Sequence, residues 1–280
     1  MNIAITGGSG FIGRALADRL QGAGHSVTSI SLRNAPGPEA FAGCDAVVHL
    51  AGEPVAQRWT AAARERILDS RVEGTHSLVK KLRSQPPRVL VSASAVGYYG
   101  SHGDETLTEE AAPAADFLGQ VALSWEQEAR IAETFGARVV TPRIGVVLGR
   151  GGGALARMLP PFRLGVGGRL GNGRQWMSWI HLDDLVALIE FALATPALSG
   201  PVNAVAPNPV TNAEFARELA AVLHRPAIFP VPAIALRVLF GQMSQVLLGS
   251  QRVIPEGALR GGFRFRYENL GAALRQILGG

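Results

Sequence analysis

The chain has 280 residues, 47% hydrophobic and 18% charged, enough to bury a sizeable core in one large or two small domains; this excludes a disordered protein. The formal charge of +5 is scattered, and its one tight run, Lys80, Lys81 and Arg83, falls at a helix end that favours cations, so no nucleic-acid partner is expected. One cysteine, Cys44, excludes an internal disulfide and fits a reducing compartment. The apolar stretch Pro226 to Leu248 is broken by Pro230, Pro232, Arg237 and Gln242, so no membrane span is expected. The N-terminus runs straight into a strand, and a cytoplasmic location follows as the expectation.

That first strand, Met1 to Ile5, leads through Thr6 to Gly13 (TGGSGFIG) into an amphipathic helix with Phe11, Ile12, Ala15, Leu16 and Leu20 among its apolar positions. Gly7, Gly10 and Gly13 are spaced one residue off the G-x-G-x-x-G pattern. Such a turn leaves the strand sharply at Gly7, admits a pyrophosphate at Gly10 and packs helix on strand at Gly13. Free N–H groups at the helix start then face the phosphates. Gly7, Gly8, Ser9, Gly10, Phe11, Ile12 and Gly13 are therefore expected to hold a dinucleotide. A second strand, Ser26 to Leu32, ends at Arg33, 20 residues after Gly13, where such folds read the adenosine ribose. A basic residue in place of an acid there favours NADP over NAD; the alternative is an exposed loop cation.

Only 12 residues, Asn34 to Asp45, precede the next strand, so the adenosine side of the sheet is expected to be trimmed. Ala46 to Leu50 (AVVHL) has the composition of a strand buried on both faces, with His49 a hydrogen-bonded core residue. The turn Ala51-Gly52-Glu53-Pro54 lets a cofactor lie close, which adds Leu50, Ala51, Gly52 and Glu53 to the expected site. Thr60 is expected to cap a helical segment through Arg71, and Leu78, Val79 and Leu82 keep helical spacing up to Pro86-Pro87. Arg88 to Ser92 is a strand opening Ser92 to Gly100 (SASAVGYYG). Two serines and two tyrosines thus stand at a strand end where open α/β sheets bind ligands.

The acidic loop with Asp104, Glu105, Glu109 and Glu110 reads as solvated, Asp116 caps a helix to about Phe135, and the strand Arg138 to Pro142 ends at Arg143. Two glycine-rich stretches, Gly149 to Gly153 and Gly165 to Gly173, then flank an apolar helical patch, a pattern of cover over a site. Trp176 and Trp179 lead to His181-Leu182-Asp183-Asp184 and a helix to Leu193, with the aspartates read as caps. A strand (Val202 to Val205), a helix capped by Thr211 or Asn212, an apolar helix (Ala233 to Phe240) and a last helix after Asn269 complete the chain. The expected fold class is α/β. A Rossmann-type doubly wound parallel sheet spans 1–148, completed by roughly 180–205, and a smaller substrate-side cover domain takes 149–179 and 206–280.

The order TGGSGFIG, HLAG, SRVEGT, SASAVGYYG, PRIGVVLG and WIHLDDL resembles the extended short-chain dehydrogenase/reductase family, which includes nucleotide-sugar epimerases. The segments GEPVAQRW, GRGGGAL, MLPPFRLG and GSQRVIPEGAL resemble an atypical epimerase-like branch with a C-terminal domain of unassigned role. The resemblance implies NADP along Gly7 to Gly13, at Arg33, at Leu50 and Ala51, and near Arg71 and Val146; Ser92 and Arg143, at strand ends, complete the expected cofactor residues. Arg71 stands where many members have asparagine, to reach phosphate or ribose or to pair with an acid.

The chemistry departs from the family. Its tyrosine, tuned by a lysine four residues on, has no counterpart: the lysines are 80 and 81, the tyrosines 98, 99 and 267. With Glu126 aligned to the family pattern, Leu118 and Ala122 fill the two slots. Ser94 matches the family serine, and Tyr98 or Tyr99 is the candidate phenol, with His102 or Arg143 to tune it. Ser94, Tyr98 and Tyr99 are thus the catalytic candidates. Two functions follow: an NADP-dependent oxidoreductase or epimerase acting on a small polar molecule, a sugar nucleotide among the candidates, or a non-catalytic NADP-binding sensor or partner-binding protein. No metal-ligand spacing is present.

Overall fold

The computed structural model describes residues 1–279. Strands and helices alternate from the start: β1 (Asn2–Thr6), α1 (Phe11–Gly22), β2 (Ser26–Ile30), β3 (Ala46–His49), α2 (Ala61–Leu82), β4 (Val89–Ser92) and its extension β5 (Ser94–Ala95). Next come β6 (Thr106–Leu107), α3 (Phe117–Arg130), β7 (Arg138–Ile144), β8 (Val146–Leu148), α4 (Gly153–Arg163), β9 (Trp176–Met177) and β10 (Trp179–His181). After α5 (Leu182–Ala194), β11 (Gly200–Ala204), β12 (Val210–Thr211) and α6 (Asn212–Val222), the C-terminal part adds α7 (Ala233–Phe240), α8 (Ser244–Leu248), β13 (Arg252–Val253), α9 (Glu256–Arg260) and α10 (Leu270–Leu278).

Seven strands form one parallel sheet in the order β11-β7-β4-β3-β1-β2, with β5 continuing the pairing along β7. Parallel strands need crossovers, which put helices on both faces. Because side chains alternate across a strand, Ile3, Ile5, Val91 and Val140 pack with Leu16, Leu20, Leu188 and Ile189 of α1 and α5. Their neighbours Ala4, Val47, Leu90 and Val139 pack with Leu78, Leu82 and Ala129 of α2 and α3. The sheet stops at β2: the residues after it hold only two short 3₁₀ turns, Leu32–Asn34 and Pro38–Phe41. His49 is wholly buried, with Thr6 Oγ1 2.6 Å from Nδ1 and Thr75 Oγ1 2.9 Å from Nε2. Burial, helped by Arg71, lowers its pKa to about 4 and keeps the ring neutral.

A second core joins α4, α6 and α10 through Phe162, Phe215, Leu219, Leu270 and Leu274, with Trp179 at its centre. Residues 256–265 do not stay with it, although the sequence placed them in the cover: α9 lies against β11, and Phe263 and Phe265 enter the sheet-side core. The alternation Phe263-Arg264-Phe265-Arg266 turns both rings to one side, and that side finds the larger core. The reading of Asp183 and Asp184 as caps is corrected. The cap of α5 is His181, whose Nδ1 accepts the Asp183 N–H at 3.0 Å. Asp184 is buried and accepts the N–H groups of Arg266 and Tyr267, both at 2.9 Å, tying the C-terminal segment to α5. Glu109, expected in a solvated loop, likewise takes the N–H groups of Asn203 and Gly257.

Candidate active site

The glycine turn after β1 has the geometry its spacing predicts. Gly7 has φ +77°, and a Cβ there would lie 2.8 Å from the Ala51 nitrogen, so the turn rests on the end of β3. A Cβ on Gly13 would fall 2.3 Å from the Gly7 oxygen; only hydrogen at that position lets α1 seat on the turn. Gly10 is the N-cap of α1 and supplies no side-chain cap, which leaves first-turn N–H groups to an anion. Phe11 and Ile12, expected to touch the cofactor, begin α1 and also pack on the sheet-side core. Arg33 is exposed in the 3₁₀ turn after β2. These features make a cradle that Cβ atoms would fill and that a dinucleotide fits.

The end of β3 is held by Arg71. Its guanidinium donates to the carbonyls of Glu53 (2.9 Å) and Ile67 (3.2 Å), lies against Gly52 and sits 5.1 Å from the Trp125 ring centre. Burial lowers its pKa to about 10, so it stays charged at neutral pH. Arg71 therefore shapes the turn at residues 50–53 through carbonyls, and not by pairing with an acid as one reading had it. The Glu53 carboxylate takes a hydrogen bond from Gln57, with Arg66 beside it, and its pKa is lowered for those reasons in that order. Sequence reasoning missed what the string Gly149 to Gly153 is for. Cβ atoms on Gly149, Gly152 and Gly153 would lie 2.8, 2.3 and 2.9 Å from the ring of Phe11, so this loop closes over the first residue of α1.

Ser94, Tyr99 and Arg143 do come together, in a buried network whose hub, Glu126, the sequence used only for alignment. Arg143 donates Nε to Glu126 Oε1 (2.8 Å) and Nη2 to Oε2 (2.9 Å), a bidentate pair. The Ser94 hydroxyl donates to Glu126 Oε1 at 2.6 Å. The Tyr99 hydroxyl donates to Asn203 Oδ1 (2.6 Å) and accepts from Arg143 Nη1 (2.9 Å). Burial, only partly offset by Arg143, pushes the Tyr99 phenol up to about 12. Tyr98 lies under the Arg143 guanidinium, 3.5 Å from its ring centre. These hydroxyls and this arginine have internal partners. The Ser92 hydroxyl differs: it is buried and has no partner among the described residues.

Beside this network, at the C-terminal end of the sheet, opens a pocket of about 600 Å³. Trp59, Leu118 and Val146 supply apolar wall, and Asp116, Arg237 and Ser101 are among its polar lining. Leu118, in the slot of the family tyrosine, faces the pocket; Ala122, in the lysine slot, is buried. The outer wall is α8 and the strap after it. Gln251 Nε2 donates to the Val96 carbonyl (2.9 Å), and the Ser250 N–H donates to Ser101 Oγ (3.1 Å). Asp116 was read as a cap. It is one, accepting the Gly119 N–H at 2.8 Å, and it also lines the pocket.

A doubly wound parallel sheet, an uncapped glycine turn at its first helix and a pocket at the same sheet end define a short-chain dehydrogenase/reductase-type fold. A sequence model described as the NAD dependent epimerase/dehydratase family matches residues 3–205, and one described as a domain of unknown function (DUF1731) matches 231–277. The chain belongs to the NAD dependent epimerase/dehydratase family. It is 43% identical over 289 residues to epimerase family protein Mb2239 of Mycobacterium bovis, covering 97% of this chain and 96% of that one. The crystal structure of human epimerase family protein SDR39U1 (isoform 2) with NADPH matches with 38% identity, TM-score 0.92 and full coverage of both chains. The crystal structure of a nucleoside-diphosphate sugar epimerase from Corynebacterium glutamicum matches with 36% identity and TM-score 0.82, over all of this chain and 58% of that one. Among the described residues, no helix is long and apolar enough to cross a membrane, and no cluster of three metal-ligating side chains occurs.

Proposed function

We propose that this protein binds NADP(H) along the glycine turn and acts as an oxidoreductase or epimerase on a small polar substrate held in the 600 Å³ pocket, a sugar nucleotide being the class favoured. The observation that carries the reading is the cradle. The uncapped α1, the glycine contacts at Gly7 and Gly13, and Arg33 at the next strand end fit a 2′-phosphorylated dinucleotide. The human relative crystallised with NADPH supports it. Bound NADP(H) supplies or accepts hydride. The chain's own residues do the rest: Arg237 and Gln245 hold the anionic or polar end of the substrate, and Trp59, Leu118 and Val146 exclude water. Asp116 and Ser101 are the pocket groups that can hold or pass a proton.

One observation favours a second reading, NADP(H) binding without turnover: Leu118, which the alignment on Glu126 puts in the slot of the family tyrosine, lines the pocket, and the hydroxyls of Ser94 and Tyr99 have partners elsewhere. The test is a titration with NADPH and NADH followed by nicotinamide fluorescence, repeated on Arg33→Asp. Tighter binding of NADPH is expected. Loss of one charge-assisted phosphate contact, about 1.5–3 kcal/mol, should weaken NADPH by roughly 10- to 150-fold in the variant. No binding of either nucleotide sinks both readings. A screen of nucleotide sugars against bound NADP(H), with Asp116→Asn as control, then separates them. Asn keeps the cap, so turnover lost in that variant marks an enzyme, and no turnover on any substrate favours the binding protein.

A further inference from the structure

The arginines that look scattered in sequence are sorted by sign in the molecule. Two stretches on the cover side, residues 149–182 and 219–255, hold eight of the 27 basic residues and no acidic ones, while Glu214, Glu218, Glu256 and Glu268 lie in the segments between and after them. Three arginines, two of them from this set, line a second cavity of about 570 Å³ that shares no lining residue with the first. Arg169 comes from the loop after α4, Arg217 from the middle of α6 and Arg225 from the segment just after it.

The helix α6 has two faces. Phe215 and Leu219 enter the second core against α10. Ala213, Ala216 and Ala220, with Arg217 one turn along, follow at spacings of three and four and line the cavity, Ala216 and Ala220 at the edge of that same core. Among the described residues, no carboxylate lines it. Glu214 is held by the N–H and hydroxyl of Thr211, feeling Arg217 as a neighbouring charge, and Glu218 lies against Gly271. The guanidiniums of Arg169, Arg217 and Arg225 make no hydrogen bond or salt bridge within the described residues.

From this arrangement we infer a second ligand site, between α6 and the 225–230 segment, for an organic diphosphate: phosphate oxygens on Arg169, Arg217 and Arg225, and the carbon skeleton on the alanine floor. The guanidinium fork matches phosphate geometry, and three arginines lining one cavity offer an entering anion several such forks. The volume is that of a small-molecule pocket. This reading does not depend on the proposed activity.

Calorimetric titration of ADP and of inorganic pyrophosphate into the protein, with NADPH present in excess, tests it. ADP should bind once per chain and pyrophosphate more weakly, since pyrophosphate leaves the floor uncovered. Arg169→Ser/Arg225→Ser should weaken ADP at least tenfold without lowering the melting temperature, because neither side chain has a protein partner to lose. Arg33→Asp should leave ADP binding in place. Absence of ADP binding, retention within twofold in the double variant, a fall in that variant's melting temperature, or loss in Arg33→Asp would each overturn the site. Equal binding of pyrophosphate and ADP would overturn the role of the alanine floor.

Discussion

At the scale of single residues, buried polar groups set two pH limits. His49 is neutral in the fold, with its pKa lowered from 6.5 to about 4, so an acidified unfolded chain takes a proton that the folded one refuses. Its contribution is complete above pH 6.5 and is lost as pH falls toward 4. About 3 kcal/mol of stability should go across that window, and urea melts of wild type and His49→Leu should converge on the acid side. Tyr99 works in the opposite sense. Its phenol is raised from 10 to about 12, so its contribution is intact below pH 10 and falls as pH rises through 12. Tyr99→Phe should remove that alkaline slope, cost about 1–3 kcal/mol at neutral pH through the partners it strands, and leave NADPH affinity unchanged. A large loss of affinity would place Tyr99, read from sequence only as a catalytic candidate, in the cofactor site. Glu126→Ala should be the most damaging of these changes, at about 3–5 kcal/mol, because it leaves Arg143 buried and unpaired.

Among elements, close approach governs. Strand β1, its turn and α1 meet at Gly13, where a methyl group would fall 2.3 Å from the Gly7 oxygen. Gly13→Ala should lower stability by about 1–3 kcal/mol and weaken NADPH, as α1 is pushed off the turn that orients its N–H groups. The Gly149–Gly153 loop makes the same demand on Phe11. Calorimetric melts with a paired NADPH titration check both; a Gly13→Ala protein with wild-type affinity would show that the turn tolerates displacement. Sequence reading found the first turn because Gly10 and Gly13 touch only the turn itself, within one strand–turn–helix unit; the seat of Gly7 on residues 50 and 51 was not legible there. It saw the second glycine string only as cover, because Phe11 is nearly 140 residues away in the chain.

For the whole molecule, the two cores are joined by a segment that returns. Phe263 and Phe265 fill the sheet-side core, and Asp184 holds the backbone between them and α10. Unfolding should therefore be a single calorimetric transition, and Asp184→Ala should move it down as a unit, by about 3 kcal/mol of stability, instead of splitting it. Two resolved transitions in the variant would show that the layers fold independently.

What the sequence alone determined was whatever is periodic or contiguous: the parallel α/β sheet, its trimmed edge beyond β2, the glycine cradle, the position of Arg33, and the missing tyrosine–lysine pair. Alternation and short spacings carry that information directly. Only the tertiary structure decided how the polar groups are spent. It gave Ser94, Tyr99 and Arg143 to Glu126 and Asn203, turned Leu118 and Asp116 into the pocket, and returned residues 256–265 to the first core. It also brought Arg169, Arg217 and Arg225 around one cavity. Hydrogen-bond partners and charge neighbours far apart in the chain are chosen by the packing of whole layers, and no local pattern encodes which of several serines, tyrosines or arginines will meet.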